Sequence, residues 1–427
     1  MGPSVTKPCR FFLVCLATLC VPVGGRATTE VAVQVGETLQ SVDNPLLFPD
    51  NSTDPLKRSD TVRSTDLGAA LRMDLPSDRS FLSVGAKASQ KRYDALSQFD
   101  HTERQFDALY QWEYGQTWRG RLRHRFDERL YNYYGGFFTQ PETPRATEDV
   151  AEVALRITPQ LDLPVTYTQH SVRYDDAGLA QRYNQDDRGL QLALSYTSGR
   201  LSTFRVGMRQ TDVRFPDRSA ADVANIDSGY RDREVFVDVG WRLTDTTVLN
   251  GRIGRLDRTF DSLSNRDTQL ISMSTGIDWR YSPKTALFLR GYRQPQSNSQ
   301  ADFRLYVIST GVEARVQYDM TAKTRIGLTG SYEQQKYQSF SNTASAATGG
   351  NDRVTRLGAT VEYAPTQRVL LRGELARQFY EPDPVASTLG NFSRNTLQLG
   401  LFYTFDNMLT ANRARTLLDT MRYERIQ

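Results

Sequence analysis

Eight short turn signals punctuate this chain at intervals of roughly 38–46 residues. They are Pro76-Ser-Asp, Gly115-Gln-Thr, Leu161-Asp-Leu-Pro164, Ser198-Gly-Arg, Thr244-Asp-Thr, Ser282-Pro-Lys, Thr321-Ala-Lys and Pro365-Thr-Gln. On each side of every turn runs a segment of about 10–15 residues with alternating apolar and polar side chains. Longer polar stretches separate the hairpins, among them 132–146, 215–229 and 338–351. Side chains that alternate with period two face two different surroundings. Long hairpins with a tight turn at one end and a long loop at the other are the layout of a transmembrane antiparallel up-and-down β-barrel. Its short turns are periplasmic and its longer loops extracellular. A soluble propeller has a similar repeat, but packs four short strands into that length and carries apolar core strands. Here charged residues sit mid-strand almost everywhere.

Individual segments agree with an all-β barrel. In Gln269–Tyr281, Ile271, Met273, Ile277, Trp279 and Tyr281 alternate with Ser272, Ser274, Gly276, Asp278 and Arg280. In Leu305–Tyr318 the apolar face begins at Tyr306 and ends at Tyr318, the spacing of an aromatic girdle. In the last such segment Leu397, Leu399, Leu401, Tyr403 and Phe405 share a face opposite Gln398, Gly400 and Phe402. Segment counting gives about 18 strands, within a range of 16–18, between residues 28 and 405. The first, Thr29–Gln40, is expected to pair with the last, since no other strand has an open edge. Glycines recur mid-strand, as curvature in a closing sheet requires. A barrel this wide holds water in its lumen unless something plugs it.

The front of the chain reads as a secretory signal peptide over residues 1–27. Lys7 and Arg10 precede an apolar run from Phe11 to Val21, and small residues Gly25 and Ala27 follow. Leu19 before Cys20 speaks against a lipoprotein site. All three cysteines (Cys9, Cys15, Cys20) fall in this segment, so disulfide and thiolate chemistry are excluded from the mature chain. Without Lys7, Arg10 and Arg26, the 53 basic and 49 acidic residues leave a net charge near +1, and nothing indicates a nucleic-acid partner. Past the last strand, residues 406–427 carry Ala414, Leu417, Leu418 and Met421 at helical spacing. This is the pattern of a short amphipathic helix on a periplasmic tail.

The most unusual segment is Trp118–Leu130. Period two places Arg119, Arg121, Arg123 and Arg125 on one face, expected to be the lumen, with Asp127 and Arg129 beyond them. The ladder can draw an anionic solute or sugar chain. It can also brace the wall by pairing with Asp107, Glu113, Asp149 and Glu152, and this second reading is preferred. Aromatics in Tyr131–Ala146, with Tyr93, Phe99, Phe379 and Tyr380, could contact sugars, although a raised girdle is the simpler reading. Enzyme signals are poor. His170 and Ser171 are strand neighbours and face opposite ways, so they cannot form a nucleophile–base pair. Asp100-His101 is the one candidate for a rim-site enzyme. No metal-ligand cluster, phosphate loop or cofactor motif is present.

The spacing of Gln398, Gly400, Tyr403 and Phe405 resembles the C-terminal signal by which bacterial outer-membrane barrels are recognised and inserted, which implies the barrel assembly machinery and outer-membrane lipid as partners. More broadly, Asp43-Asn-Pro-Leu-Leu-Phe48, Ser59-Asp-Thr-Val-Arg-Ser-Thr-Asp-Leu-Gly68, Asp74-Leu-Pro-Ser-Asp-Arg79 and Arg92-Tyr-Asp94 resemble the outer-membrane β-barrel proteins found with exopolysaccharide synthesis in exosortase-type systems, grouped as β-barrel porins. The resemblance implies a part in exopolysaccharide biosynthesis or export, as a passage or assembly partner for the polymer alongside periplasmic export components. A passive diffusion porin for small solutes is the alternative. The family offers no catalytic residues.

Overall fold

The computed structural model describes residues 29–75, 79–131, 141–296, 307–337, 350–383 and 390–406. The expected signal peptide and all but the first residue of the expected tail lie outside them. The strands are β1 (Thr29–Val42), β2 (Asp60–Asp74), β3 (Phe81–Tyr93), β4 (His101–Tyr114), β5 (Trp118–Glu128), β6 (Arg145–Thr158), β7 (Leu161–Arg173), β8 (Gln185–Thr197), β9 (Thr203–Arg214), β10 (Gly229–Thr244), β11 (Thr247–Phe260), β12 (Thr268–Ser282), β13 (Thr285–Gln296), β14 (Val307–Asp319), β15 (Thr324–Tyr337), β16 (Asn351–Tyr363), β17 (Val369–Glu381) and β18 (Phe392–Asp406). Consecutive strands pair antiparallel to form one 18-stranded sheet. β18 closes it on β1, with Leu399 opposite Leu39 and Phe405 opposite Val33. Every strand edge is thereby paired.

The alternation sets the two faces. Leu399 is 56% exposed and Phe405 53%, whereas Phe402 is only 5% exposed and points inward. Val235, Met208, Ile271, Leu328 and Leu375 continue this apolar exterior around the barrel. On a soluble protein so large an apolar surface would drive aggregation. Around a closed barrel it is the band that meets hydrocarbon. Tyr114, Trp118, Phe204, Trp241, Tyr281 and Phe405 are exposed near the short-turn edge of the band, the place of an interfacial aromatic girdle. Tyr306, the other expected girdle residue of β14, lies outside the described residues.

Two details differ from the sequence reading. The third turn signal is not Leu161–Pro164 but the step from Thr158 to Leu161; Asp162, Leu163 and Pro164 belong to β7. Pro164 fits there because the ladder between β7 and β8 skips Leu163 and Pro164, so its missing N–H breaks no pairing. β5 stops at Glu128, so Arg129 lies in the following loop and pairs with Asp127 at 2.6 Å.

Lumenal glycines make room for neighbouring rings. A Cβ on Gly207 would lie 2.7 Å from Phe236 Cζ, and one on Gly311 would lie 2.6 Å from the Tyr292 hydroxyl. At the long-loop end two short helices stand between strands. α1 (Ala177–Tyr183) is capped by Asp176, which accepts from Leu179 N at 2.9 Å. α2 (Ala220–Ile226) is capped by Ser219, which accepts from Asp222 N at 3.1 Å. Each cap satisfies an N–H that the first helical turn leaves unpaired.

Candidate functional site

The four ladder arginines share the inward face of β5, and each has a carboxylate beside it. Arg119 donates to Asp162 at 2.7 Å and Arg121 to Glu152 at 3.2 Å. Asp107 receives both Arg123 at 2.8 Å and Arg125 at 3.2 Å, and Glu148 lies 3.6 Å from Arg125. The cross-strand register explains two of the pairings: Asp107 and Glu148 both face Arg125, and Glu152 faces Arg121, whereas Arg119 faces Glu113 but reaches Asp162. Two partners expected from sequence are different. Glu113 pairs with Arg79 at 3.1 Å. Asp149 is on the outer face, where it meets His124 Nδ1 at 2.7 Å. The ladder is therefore a wall of neutralised pairs, which braces the barrel more than it projects positive charge into the pore.

A second lumenal feature spans β9 to β13. Phe288 and Arg290 face Arg205, Asp238 and Arg252 across a depression of about 500 Å³, with Thr203, Asn250 and Ser274 among its polar lining. Its floor is low because Gly240 and Gly276 stand where side chains would fill it; a Cβ on Gly240 would come within 2.6 Å of Thr203 Oγ1. Arg252 is committed, donating to Glu234 at 2.7 Å and to Asp238 at 3.2 Å while lying over the Phe236 ring. Arg205 and Arg290 form no ion pair among the described residues. They leave two cations facing a polar hollow.

At the long-loop end the described loops pack against one another. Leu46 and Phe48 pack with Leu96, Phe99, Tyr131, Tyr174 and Leu179 in one buried cluster. Between them Leu47, at φ 56°, joins Val354, Tyr380 and Phe392 in another. Asn44 holds the bend, donating to Phe48 O at 2.8 Å and accepting from Phe48 N at 3.0 Å. The segment is tied to β18 as well: Asn395 N donates to Asp43 Oδ1 at 2.7 Å, and Ser393 N to Asp50 Oδ1 at 3.0 Å. Asp43–Phe48 is thus a structural part of the mouth.

A model of the family described as "Putative beta-barrel porin 2" matches residues 160–405. The chain belongs to this family. No curated protein matches it. Among solved structures it is similar to OccAB3 of Acinetobacter baumannii, at 10% identity and a TM-score of 0.46, over 88% of this chain and 99% of that one. It is similar to OccK9 (OpdG) of Pseudomonas aeruginosa, at 10% identity and a TM-score of 0.48, over 88% of this chain and 98% of that one. As an outer-membrane β-barrel porin it has its short turns in the periplasm and its long loops outside.

The remaining sequence candidates are placed in this porin as follows. Asp100 and His101 do not form a working pair. Asp100 accepts from Tyr93 N at 2.7 Å, while His101, largely buried, sets Nδ1 2.7 Å from Phe99 O and Nε2 3.5 Å from Glu103. The loop aromatics mostly cover one another: Tyr380 stacks on Phe392 at 4.8 Å, and Tyr93 meets Phe99 edge-on at 6.5 Å. Residues 132–140 of the aromatic loop lie outside the described residues. Gln398 and Gly400 face the lumen, and Tyr403 and Phe405 face outward with their rings 4.6 Å apart. Among the described residues no group of histidines and carboxylates could hold a metal. Sequence reasoning missed Arg205 and Arg290. Arg290 is the lone arginine on the inward face of β13 and Arg205 shares that of β9 with Arg209, which pairs with Glu234 at 2.9 Å; only the sheet brings Arg205 and Arg290 to one hollow.

Proposed function

We propose that this porin is a passage for small anionic solutes, with the hollow between Arg205 and Arg290 as a transient binding station. One observation carries the reading: unlike the β5 ladder arginines, these two form no ion pair among the described residues, although Asp238 stands opposite Arg205 and Glu313 opposite Arg290, and they line a recess that also holds hydroxyl and amide donors. Planar guanidinium groups recognise carboxylates in bidentate fashion. Weak capture in a charged pore raises the local concentration of an anion without trapping it. In planar bilayers, millimolar gluconate should interrupt the current through the native channel. The Arg205→Gln, Arg290→Gln variant should need at least tenfold more gluconate for the same block. Equal block by both channels would refute the station.

Passage or assembly of an exopolysaccharide is the second reading, favoured by Asp43–Phe48, Asp74–Arg79 and Arg92–Asp94, which carry the sequence resemblance. Deleting the gene and measuring secreted polymer tests it; normal secretion sinks it. A rim enzyme would need activity that His101→Ala abolishes.

A further inference from the structure

We infer that the extracellular edge of β10 and β11 binds a membrane lipid through phosphate on its headgroup, gripped between Arg233 and Arg255. The inference uses the outer-membrane placement of the barrel and is independent of what passes through the lumen. Both side chains are exposed on the outer face. Arg255 stands opposite Val235 on one side and Ile271 on the other, while Arg233 stands opposite Gln210 and Asp257. Below them the exterior is apolar: Val235 is 63% exposed, Met208 60% and Ile253 54%. Any lipid whose chains lie on that apolar strip has its headgroup at the height of the two arginines.

Arg233 and Arg255 are diagonal neighbours on antiparallel strands, which sets their backbones about 7–8 Å apart. Two guanidinium groups at that spacing converge on one tetrahedral anion. Arg255 is aimed by donating to Gln269 Oε1 at 2.9 Å, and its acidic neighbour Asp257 is only loosely engaged, at 3.7 Å. Arg233 forms no ion pair among the described residues. On the outer face of β4 and β5 the cations are matched: Arg104 donates to Glu128 at 3.1 Å, and His124 lies 2.7 Å from Asp149. The unpaired guanidinium of Arg233 beside hydrocarbon is costly unless an anion meets it. A phosphorylated headgroup supplies that anion at the right depth.

The test titrates the folded, full-length porin in dodecyl maltoside with bisphosphorylated lipid A or with the same lipid dephosphorylated, and counts bound copies by native mass spectrometry. The phosphorylated lipid should occupy its tightest site at least tenfold more strongly. Arg233→Gln, Arg255→Gln should remove that advantage, Arg233→Lys, Arg255→Lys should keep part of it, and Arg63→Gln, elsewhere on the same rim, should leave it whole. Equal affinity for the two lipids on the native protein overturns the inference without any variant. So does an unaltered preference in the folded glutamine pair, or full displacement of the lipid by inorganic phosphate. If the glutamine pair fails to fold, Arg233→Gln alone decides between the same outcomes.

Discussion

Asp60 and Asp227 perform the same task at two distant points of the extracellular rim. Asp60 accepts from Thr61 N at 2.7 Å and reaches into the next loop, accepting from Ala95 N at 2.9 Å and Leu96 N at 2.8 Å. Asp227 accepts from Ser228 N at 2.7 Å and likewise crosses to Ser262 N at 2.9 Å and Leu263 N at 2.7 Å. The receiving loops match residue for residue in design: Asp94-Ala-Leu-Ser-Gln-Phe-Asp100 and Asp261-Ser-Leu-Ser-Asn-Arg-Asp267. Each holds a single 3-10 turn. Each ends in an aspartate that accepts from the preceding aromatic residue's N–H, Tyr93 at 2.7 Å and Phe260 at 2.9 Å.

Replacing either hub by asparagine removes one charge and one acceptor oxygen from a buried site. A loss of about 1–3 kcal/mol of local loop stability is expected per hub. Asp227→Asn should speed hydrogen exchange at Ser262 and Leu263, and Asp60→Asn at Ala95 and Leu96, with strand amides unaffected. The double variant should show the two effects independently, because the sites share no partner. Faster exchange spread evenly over the barrel would contradict the hub role.

Acid should tighten one part of the rim. Glu142 is buried, and its carboxylate accepts from Asp175 N at 2.6 Å and Asp176 N at 3.2 Å. Burial, aided by the charges of Asp175 and Asp176, raises its pKa above the ordinary 4.5 despite those hydrogen bonds. The folded loop therefore holds its proton more firmly than the open one. Its stabilisation is full below pH 4.5 and is lost as pH rises through the raised folded value. Exchange at Asp175 and Asp176, corrected for intrinsic rate, should be slowest in acid. Glu142→Gln should flatten that dependence.

Neutralisation of the β5 ladder makes ion selectivity a direct readout of its pairing. Asp107→Asn frees Arg123 and Arg125 from their shared carboxylate and should move the reversal potential toward anions, while costing no more than about 1 kcal/mol of stability. Arg121→Gln, Arg123→Gln leaves Glu152 without its arginine and should move it toward cations. Unchanged selectivity in both variants would remove the ladder from any account of conduction.

The closing strand offers a face test. Leu399→Arg puts a cation against hydrocarbon and should cost about 2–4 kcal/mol. Gln398→Arg, one residue away but lumenal, should be nearly silent in urea unfolding from vesicles. Phe405→Ser should reduce the amount of heat-modifiable folded barrel; normal accumulation would count against an insertion signal at Gln398–Phe405.

What could be read in the sequence follows from the range of the forces involved. Strand count, the faces of β18 and the lumenal direction of Arg119–Arg125 depend on period two within one segment, and so were legible. Pairing depends on contacts between strands: Asp107 and Glu113 share a face of β4 and each lies opposite a ladder arginine, yet Glu113 pairs with Arg79 while Arg119 reaches Asp162. Asp149 shows the limit of proximity in sequence, since it alternates onto the outer face beside Glu148. The hollow of Arg205 and Arg290 and the rim pair of Arg233 and Arg255 are assembled only when separate hairpins lie side by side. The loop hubs were hidden for another reason. Their partners are backbone N–H groups, which have no signature in composition.

The first loop has a consequence for how the molecule is made. Leu47 rests on Val354, Tyr380 and Phe392, and Asp43 holds Asn395. All four partners lie in the last three strands, β16 to β18. The segment that shapes the entrance therefore cannot settle until the final hairpin has arrived, and a barrel caught before closure has an unfinished gate. In this porin the completion of the wall and the setting of the aperture are one event.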